Sequence, residues 1–189
     1  MDIKIPKNVR IIIIEGVAGS GKDTFQKLLK EKFSGKLVHD YSEGELLFSW
    51  KHARIKGMAK MRLRFMKAFL DYVEQVLKEE PKSIFFLNRF HLSTYMAHVS
   101  KDNKLKKNYD KIVEHLRRLP VYILLLKLSP DEIEKRSAHV ERPDVWKKYQ
   151  KFMVKKEGFS SRTERYMNEQ ELMLEAAKKD KIPFFIIDK

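Results

Sequence analysis

Between Gly16 and Thr24 the chain reads Gly-Val-Ala-Gly-Ser-Gly-Lys-Asp-Thr, a spacing of glycines and one lysine suited to holding phosphate. Glycines admit backbone conformations that a Cβ forbids, so the N–H groups of Gly16, Val17, Ala18, Gly19, Ser20 and Gly21 can turn inward onto anionic oxygens. Lys22 then adds a full positive charge where a following helix adds the partial charge of its N-terminus. The run fits the G-x-x-x-x-G-K pattern, whose next residue is normally a Ser or Thr with its hydroxyl on Mg2+. Here that residue is Asp23, and Thr24 comes one position late, so Thr24 either binds phosphate or caps the helix. Asp23 either reaches a magnesium-bound water or serves as an acidic first-turn residue. Glu15 is the other carboxylate beside the loop.

Phosphoryl transfer also asks for a grip on the acceptor and for cations that neutralise charge in the transition state. Arg89 directly follows an apolar run, so its fork of donors is held near a sheet edge, either on a phosphate or in a salt bridge. Arg136 and Arg142 bracket a short segment between helices, a candidate lid over about residues 136–145. Arg162 and Arg165 are weaker candidates on a helix face. Asp40 and Glu43 follow the second strand, where an acceptor hydroxyl or sugar would lie, or else they are solvent-facing acids. Phe65 and Phe69 sit at helical spacing on a long helix, where they stack on a base or fill the core. The histidines show no metal-ligand spacing.

These groups need a scaffold. Arg10 to Ile14 is a β-branched run too short for a helix, hence a buried parallel strand. After the loop, Phe25, Leu28, Leu29 and Phe33 recur at helical spacing over 24–33. Further strands are expected at 36–40, 83–87, 121–126 and 184–187, with a loop over 41–44. Helices are expected after Gly57 up to Pro81, from His91 to about Ser100, and after Ser129-Pro-Asp-Glu132 and Ser161, each opened by a capping box. Alternating strands and helices imply right-handed crossovers and a five-stranded parallel sheet covered on both faces, with ligands at the carboxyl ends of the strands.

Composition narrows the classes. The 189 residues are 43% hydrophobic and show no repeat or linker, so one domain over 1–189 with a proper core is expected. No run of about 18 apolar residues predicts a membrane span. The charged residues within Met1-Asp-Ile-Lys-Ile-Pro6 argue against a signal peptide, and the absence of cysteine excludes disulfides and suits the cytoplasm. The net charge of +14 favours anionic partners, or else reflects a solvated lysine-rich surface.

The order of landmarks resembles the thymidylate kinase branch of the nucleoside and nucleotide kinases. Glu15-Gly-Val-Ala-Gly-Ser-Gly-Lys22 is similar to that family's E-G-x-x-G-S-G-K, and Asn88-Arg-Phe-His-Leu-Ser-Thr94 to its D-R-[YH]-x-x-S-T. Leu128-Ser-Pro-Asp-Glu132 is similar to the segment after its fourth strand. The resemblance implies an α/β P-loop NTPase fold, ATP and Mg2+, and an arginine-bearing lid. It also implies a nucleoside monophosphate acceptor gripped by Arg89, with Ser93 on the acceptor side. Asn88 departs from the family's aspartate, Asp23 from its usual threonine, and Met96-Ala97-His98 from its A-Y-Q. Asp23 is therefore expected to supply the carboxylate missing at position 88. Alternatives are a nucleoside kinase, a polynucleotide 5′-kinase, or a nucleotide-binding regulator without catalysis. Homodimers are common among such kinases, and no residue here marks a dimer face.

Overall fold

A computed structural model of the protein describes residues 4–47, 57–137 and 144–189. The isoleucine run becomes β1 (Ile11–Gly16), in which every residue is buried. Its side chains alternate: Ile11 and Ile13 enter one apolar cluster and Ile12 and Ile14 another. A strand apolar at every position therefore lies inside the sheet with both faces covered.

The order along the chain is β1, α1 (Lys22–Glu31), β2 (Val38–Tyr41), α2 (Glu43–Leu47), α3 (Met58–Glu79), β3 (Ile84–Asn88) and α4 (His91–Ala97). It continues with α5 (Lys106–Arg118), β4 (Val121–Lys127), α6 (Pro130–Ser137), α7 (Asp144–Glu157), α8 (Arg162–Asp180) and β5 (Phe184–Asp188). All strands are parallel, in the order β2-β3-β1-β4-β5. The crossover from β1 to β2 runs one way across the sheet, and every later crossover runs the other. With right-handed connections this places α1 on one face and the later helices on the opposite one. Packing agrees: Leu29 of α1 joins Ile12, Ile14, Phe86 and Leu126, whereas α3, α5 and α8 bury Leu70, Leu116 and Met173 against Ile13, Phe85 and Ile123. Both faces carry helices, as expected, but unevenly.

The connections after β1 and β3 leave in opposite directions although those strands are neighbours. This opens a crevice at their carboxyl ends, where the glycine loop and Asn88-Arg89 lie.

Some boundaries differ from the expectations. Tyr41 belongs to β2, and the anticipated loop turns into α2 because the Ser42 N–H and hydroxyl donate to Glu45 Oε2 at 2.7 and 2.5 Å. The helix from His91 stops at Ala97, followed by 3-10 turns at Val99–Lys101 and Asn103–Leu105. The two expected capping boxes form only in half. Ser129 and Ser161 cap the N–H groups of Glu132 and Glu164, but the Glu132 carboxylate turns to Arg136 and that of Glu164 to Ser160. No described helix is long and apolar enough to cross a membrane.

Where α4 meets α8, a histidine is buried with neither ring nitrogen hydrogen-bonded among the described residues. His91 is fully buried with its Nε2 3.7 Å from Asp180 Oδ2, and that carboxylate accepts the Tyr109 hydroxyl at 2.6 Å. Burial pulls the His91 pKa down to about 3. A histidine neutral in the fold but free to protonate near pH 6.5 once unfolded stabilises fully above that pH and progressively less as pH falls toward 3. Between pH 7 and pH 5, wild type should lose about 2 kcal/mol more unfolding free energy than His91→Leu in urea titrations. Parallel losses would show that His91 is not kept neutral.

Candidate functional site

The turn from β1 into the glycine loop is set by contact with β4. A Cβ on Gly16, at φ +147°, would lie 2.6 Å from the Leu126 carbonyl oxygen and 2.8 Å from Ser20 Oγ. Any side chain there would push the loop off the sheet. At the other end Gly21 caps α1 with φ +79°, which glycine adopts without strain. Lys22 then folds back: its Nζ donates to the Gly16 and Val17 carbonyls at 3.1 and 2.9 Å and lies 3.5 Å from Ser20 Oγ. The side chain is buried. An ammonium held beside the positive end of a helix is electrostatically uphill unless an anion is shared between them. Loop amides, helix end and Lys22 together make an arrangement that can seat phosphate oxygens.

On the β3 side of the seat, Asn88 Nδ2 donates to Asp23 Oδ1 at 2.5 Å. The two departures noted in the sequence, far apart along the chain, thus touch. Asn88 Oδ1 is buried and has no protein hydrogen-bond partner among the described residues. One carboxylate and one unengaged acceptor oxygen, side by side at the crevice, fit Mg2+ bound through its waters, because this hard ion keeps much of its hydration shell. No cluster of three or more His, Cys, Asp or Glu that could cage a metal directly occurs among the described residues.

Glu15 has a different role from that of a reactive carboxylate. Wholly buried, it accepts from the N–H groups of Phe90 and Leu92 at 2.8 and 3.0 Å and from the Ser93 hydroxyl. It thus caps the start of α4 from the neighbouring strand. Burial pushes its pKa up, opposed by the bonds from Ser93 and Phe90 and by the charge of Arg89. Ser93, expected on the acceptor side, spends its hydroxyl on this carboxylate.

Arg89 is held in the left-handed region at φ +62°, with its N–H donating to the Ile14 carbonyl at 2.9 Å. Its positive charge is felt by Glu15 at the end of β1 and by Tyr166 and Glu169 of α8. Glu169 is itself buried and bonded to Arg165 at 2.6 Å, which makes Arg165 a structural partner inside α8. Arg136 reaches the loop from α6: its Nη1 donates to the Gly19 carbonyl at 3.3 Å while its Nε holds Glu132 at 2.8 Å. Arg142 and most of the expected lid lie outside the described residues.

The other acceptor candidates are scattered. Asp40 is taken by Gln26 and Lys30, tying β2 to α1. Glu43 opens α2. Phe69 is a core residue, with its ring centroid 4.9 Å from that of Tyr41 and 5.9 Å from that of Phe90. Phe65 is only partly buried and packs over Phe69 at 6.1 Å. Thr24 is exposed in the first turn of α1. Sequence reasoning missed Trp146 and Tyr166, which with Leu128, Ile133 and Arg136 line a recess beside Ala18 and Gly19. As aromatic residues on amphipathic helices they carried no signal beyond that of core residues.

No family model matches the chain. A curated relative, a probable thymidylate kinase of Methanococcus maripaludis, is 23% identical over 165 residues, 84% of this chain and 81% of the relative. The fold superposes on the thymidylate kinase of Candida albicans with a TM-score of 0.57 at 17% identity, covering 96% of this chain and 84% of that one. For the thymidylate kinase of Ehrlichia chaffeensis the TM-score is 0.54 at 18% identity, with 97% and 90% covered. The YorR protein of Bacillus subtilis, solved with phosphorylated GDP, gives 0.57 at 14% identity, with 94% and 85% covered. The chain thus has the α/β P-loop fold of these kinases and resembles thymidylate kinases in sequence.

The left-handed backbone at Arg89 carries strain that only glycine relieves. Arg89→Gly should therefore be more stable than Arg89→Ala by about 1 kcal/mol in urea unfolding. Equal stability would mean that position 89 is not held at positive φ in solution.

Proposed function

We propose that the protein is an ATP-dependent kinase that phosphorylates a (deoxy)nucleoside monophosphate in the manner of thymidylate kinases. The observation that carries this reading is the buried Lys22 ammonium folded into a glycine loop at the N-terminus of α1, two positive groups aimed at one seat. The likeness to kinases of this fold supports it.

In this reading the loop amides from Gly16 to Gly21 and Lys22 hold the donor phosphates, and Thr24 lies beside them on the helix. Arg89, anchored where β3 ends, grips the acceptor phosphate across the crevice. Arg136, already tethered to Gly19, brings a second guanidinium to the loop, and Arg142 would follow as its segment closes. Asp23 and Asn88 hold the waters of a magnesium ion. When bound, that ion would neutralise charge on the transferring phosphoryl group. The protein's own contribution is alignment of the two phosphates and fixed positive charge in a site that excludes water, worth several kcal/mol together. Phe65, the less buried of the two ring candidates, offers a face for the acceptor base. Asp40 and Ser93 would have to release their present partners to touch an acceptor. A cytoplasmic location accords with ATP use and the absence of cysteine.

Labelled ATP and Mg2+ with a panel of nucleosides, nucleoside monophosphates and a short oligonucleotide should yield transfer to a monophosphate. Lys22→Ala should reduce that rate at least a hundredfold, and an unchanged rate would refute the reading. Transfer to the oligonucleotide instead would favour the polynucleotide kinase that the charge of +14 suggests.

The Asp23–Asn88 contact makes a separable prediction. Asp23→Thr alone, leaving neither side chain with a carboxylate, should weaken magnesium affinity 10–100-fold, read as the Mg2+ concentration for half-maximal turnover and about the range for residues that act through metal-bound water. Adding Asn88→Asp should restore turnover to within about tenfold of wild type. Loss of turnover in the double variant would rule out the exchange.

A further inference from the structure

Lys189, immediately after β5, is a residue to which neither the loop pattern nor the family resemblance draws notice. Its backbone is tied on both sides: its N–H donates to the Lys127 carbonyl at 3.0 Å, and its carbonyl accepts from the Ser129 N–H at 3.3 Å. From that anchor the side chain crosses to the glycine loop. Nζ sits 5.4 Å from the centroid of the Phe25 ring and donates to the Ser20 carbonyl at 3.4 Å.

Arg136 approaches the same spot from α6. A Cβ on Gly21 would lie 3.4 Å from Lys189 Nζ and 3.5 Å from Arg136 Nη1, so two cations converge over this glycine. Their contacts with the loop are neutral carbonyls, and the nearby Glu132 is shared between Arg136 and Lys135. Partial burial and then the charge of Arg136 lower the Lys189 pKa. Gly21 is the N-cap of α1, so the helix N-terminus adds positive potential at the same place. An anion at this edge of the loop would relieve all of them at once.

Helix geometry says which part of a phosphate chain that would be. Residues advance about 100° each around a helix, so Asp23 and Phe25 point to roughly opposite flanks of α1. Asp23 meets Asn88 on the β3 side, where Arg89 stands, and Phe25 meets Lys189 on the β5 side. If the transferred phosphate faces Arg89, the rest of the donor leaves toward Lys189.

We propose that Lys189 is a donor-binding residue whose ammonium, together with Arg136, grips the non-transferred phosphates of the nucleoside triphosphate on the β5 side of the loop. The proposal rests on the loop being a triphosphate site.

Calorimetric titration of the full-length protein with ATP and with inorganic tripolyphosphate tests it. Lys189→Met keeps the apolar stem over Phe25 and removes the charge; Lys189→Gln is a second neutral variant, and urea midpoints check that each folds. Both variants should bind ATP and tripolyphosphate about tenfold more weakly than wild type, the loss of one charge-assisted hydrogen bond, while Lys189→Arg stays within about threefold. Wild-type affinity in both neutral variants would overturn the role of Lys189 and leave the triphosphate site standing. Weaker binding of ATP but not of tripolyphosphate would place the contact on the nucleoside and overturn the proposal as stated. If wild type bound neither probe, the triphosphate reading itself would fall, and this inference with it.

Discussion

The arrangement at the carboxyl ends of the strands hangs on the Glu15 carboxylate. It lies at the end of the most buried strand, one residue before the backbone must turn, and it accepts from Phe90, Leu92 and Ser93 in the turn after β3. A carboxyl group in such a place is costly to bury, and the donors of an otherwise uncapped helix start offset the cost. Because the carboxylate belongs to β1 and the donors to the turn after β3, the two sides of the crevice are fixed to each other rather than each to the sheet alone. Arg89, between those anchors, has its N–H on Ile14 and its backbone held left-handed.

Much of this was legible from local pattern. Four isoleucines followed by the glycine loop read as strand, turn and helix, and the β3 and β4 runs read as buried strands because both faces of a parallel sheet demand apolar residues at every position. What the sequence could not show depends on strand order. Nothing local says that β3 lies between β2 and β1, and without that order Asp23 and Asn88 are merely two unusual residues. Their contact is a consequence of topology, and so is the arrival of Lys189 over Gly21, since β5 must lie beyond β4 for its end to overhang the loop. Asp40 shows the converse: its place after a strand suggested an acceptor site, yet its side chain falls on the α1 face, where Gln26 and Lys30 take it.

The surplus of positive charge divides into two populations. Many lysines lie on exposed helix surfaces or pair with acids one turn away, as Lys67 does with Asp71, Lys78 with Glu74 and Lys106 with Asp110, contacts worth little each in water. Lys22, Arg136 and Lys189 instead all donate to carbonyls of one short loop. Overall charge draws polyanions toward the molecule from a distance, whereas this second group is gathered at one place.

The uneven layering of the sheet also bears on motion. Beneath the larger cluster, α3, α4, α5 and α8 interlock with one another as well as with the strands, so no one of them can shift without disturbing its neighbours. The helix carrying the glycine loop has no such company: it rests on β1 and β3 through Leu29 and the rims of Phe25 and Phe33, with Asp40 as a side stay. A helix seated alone can rock about its own contacts while the bulk of the interior keeps its packing. The molecule thus has a lighter shell on the side of the glycine loop and a denser one behind Arg89.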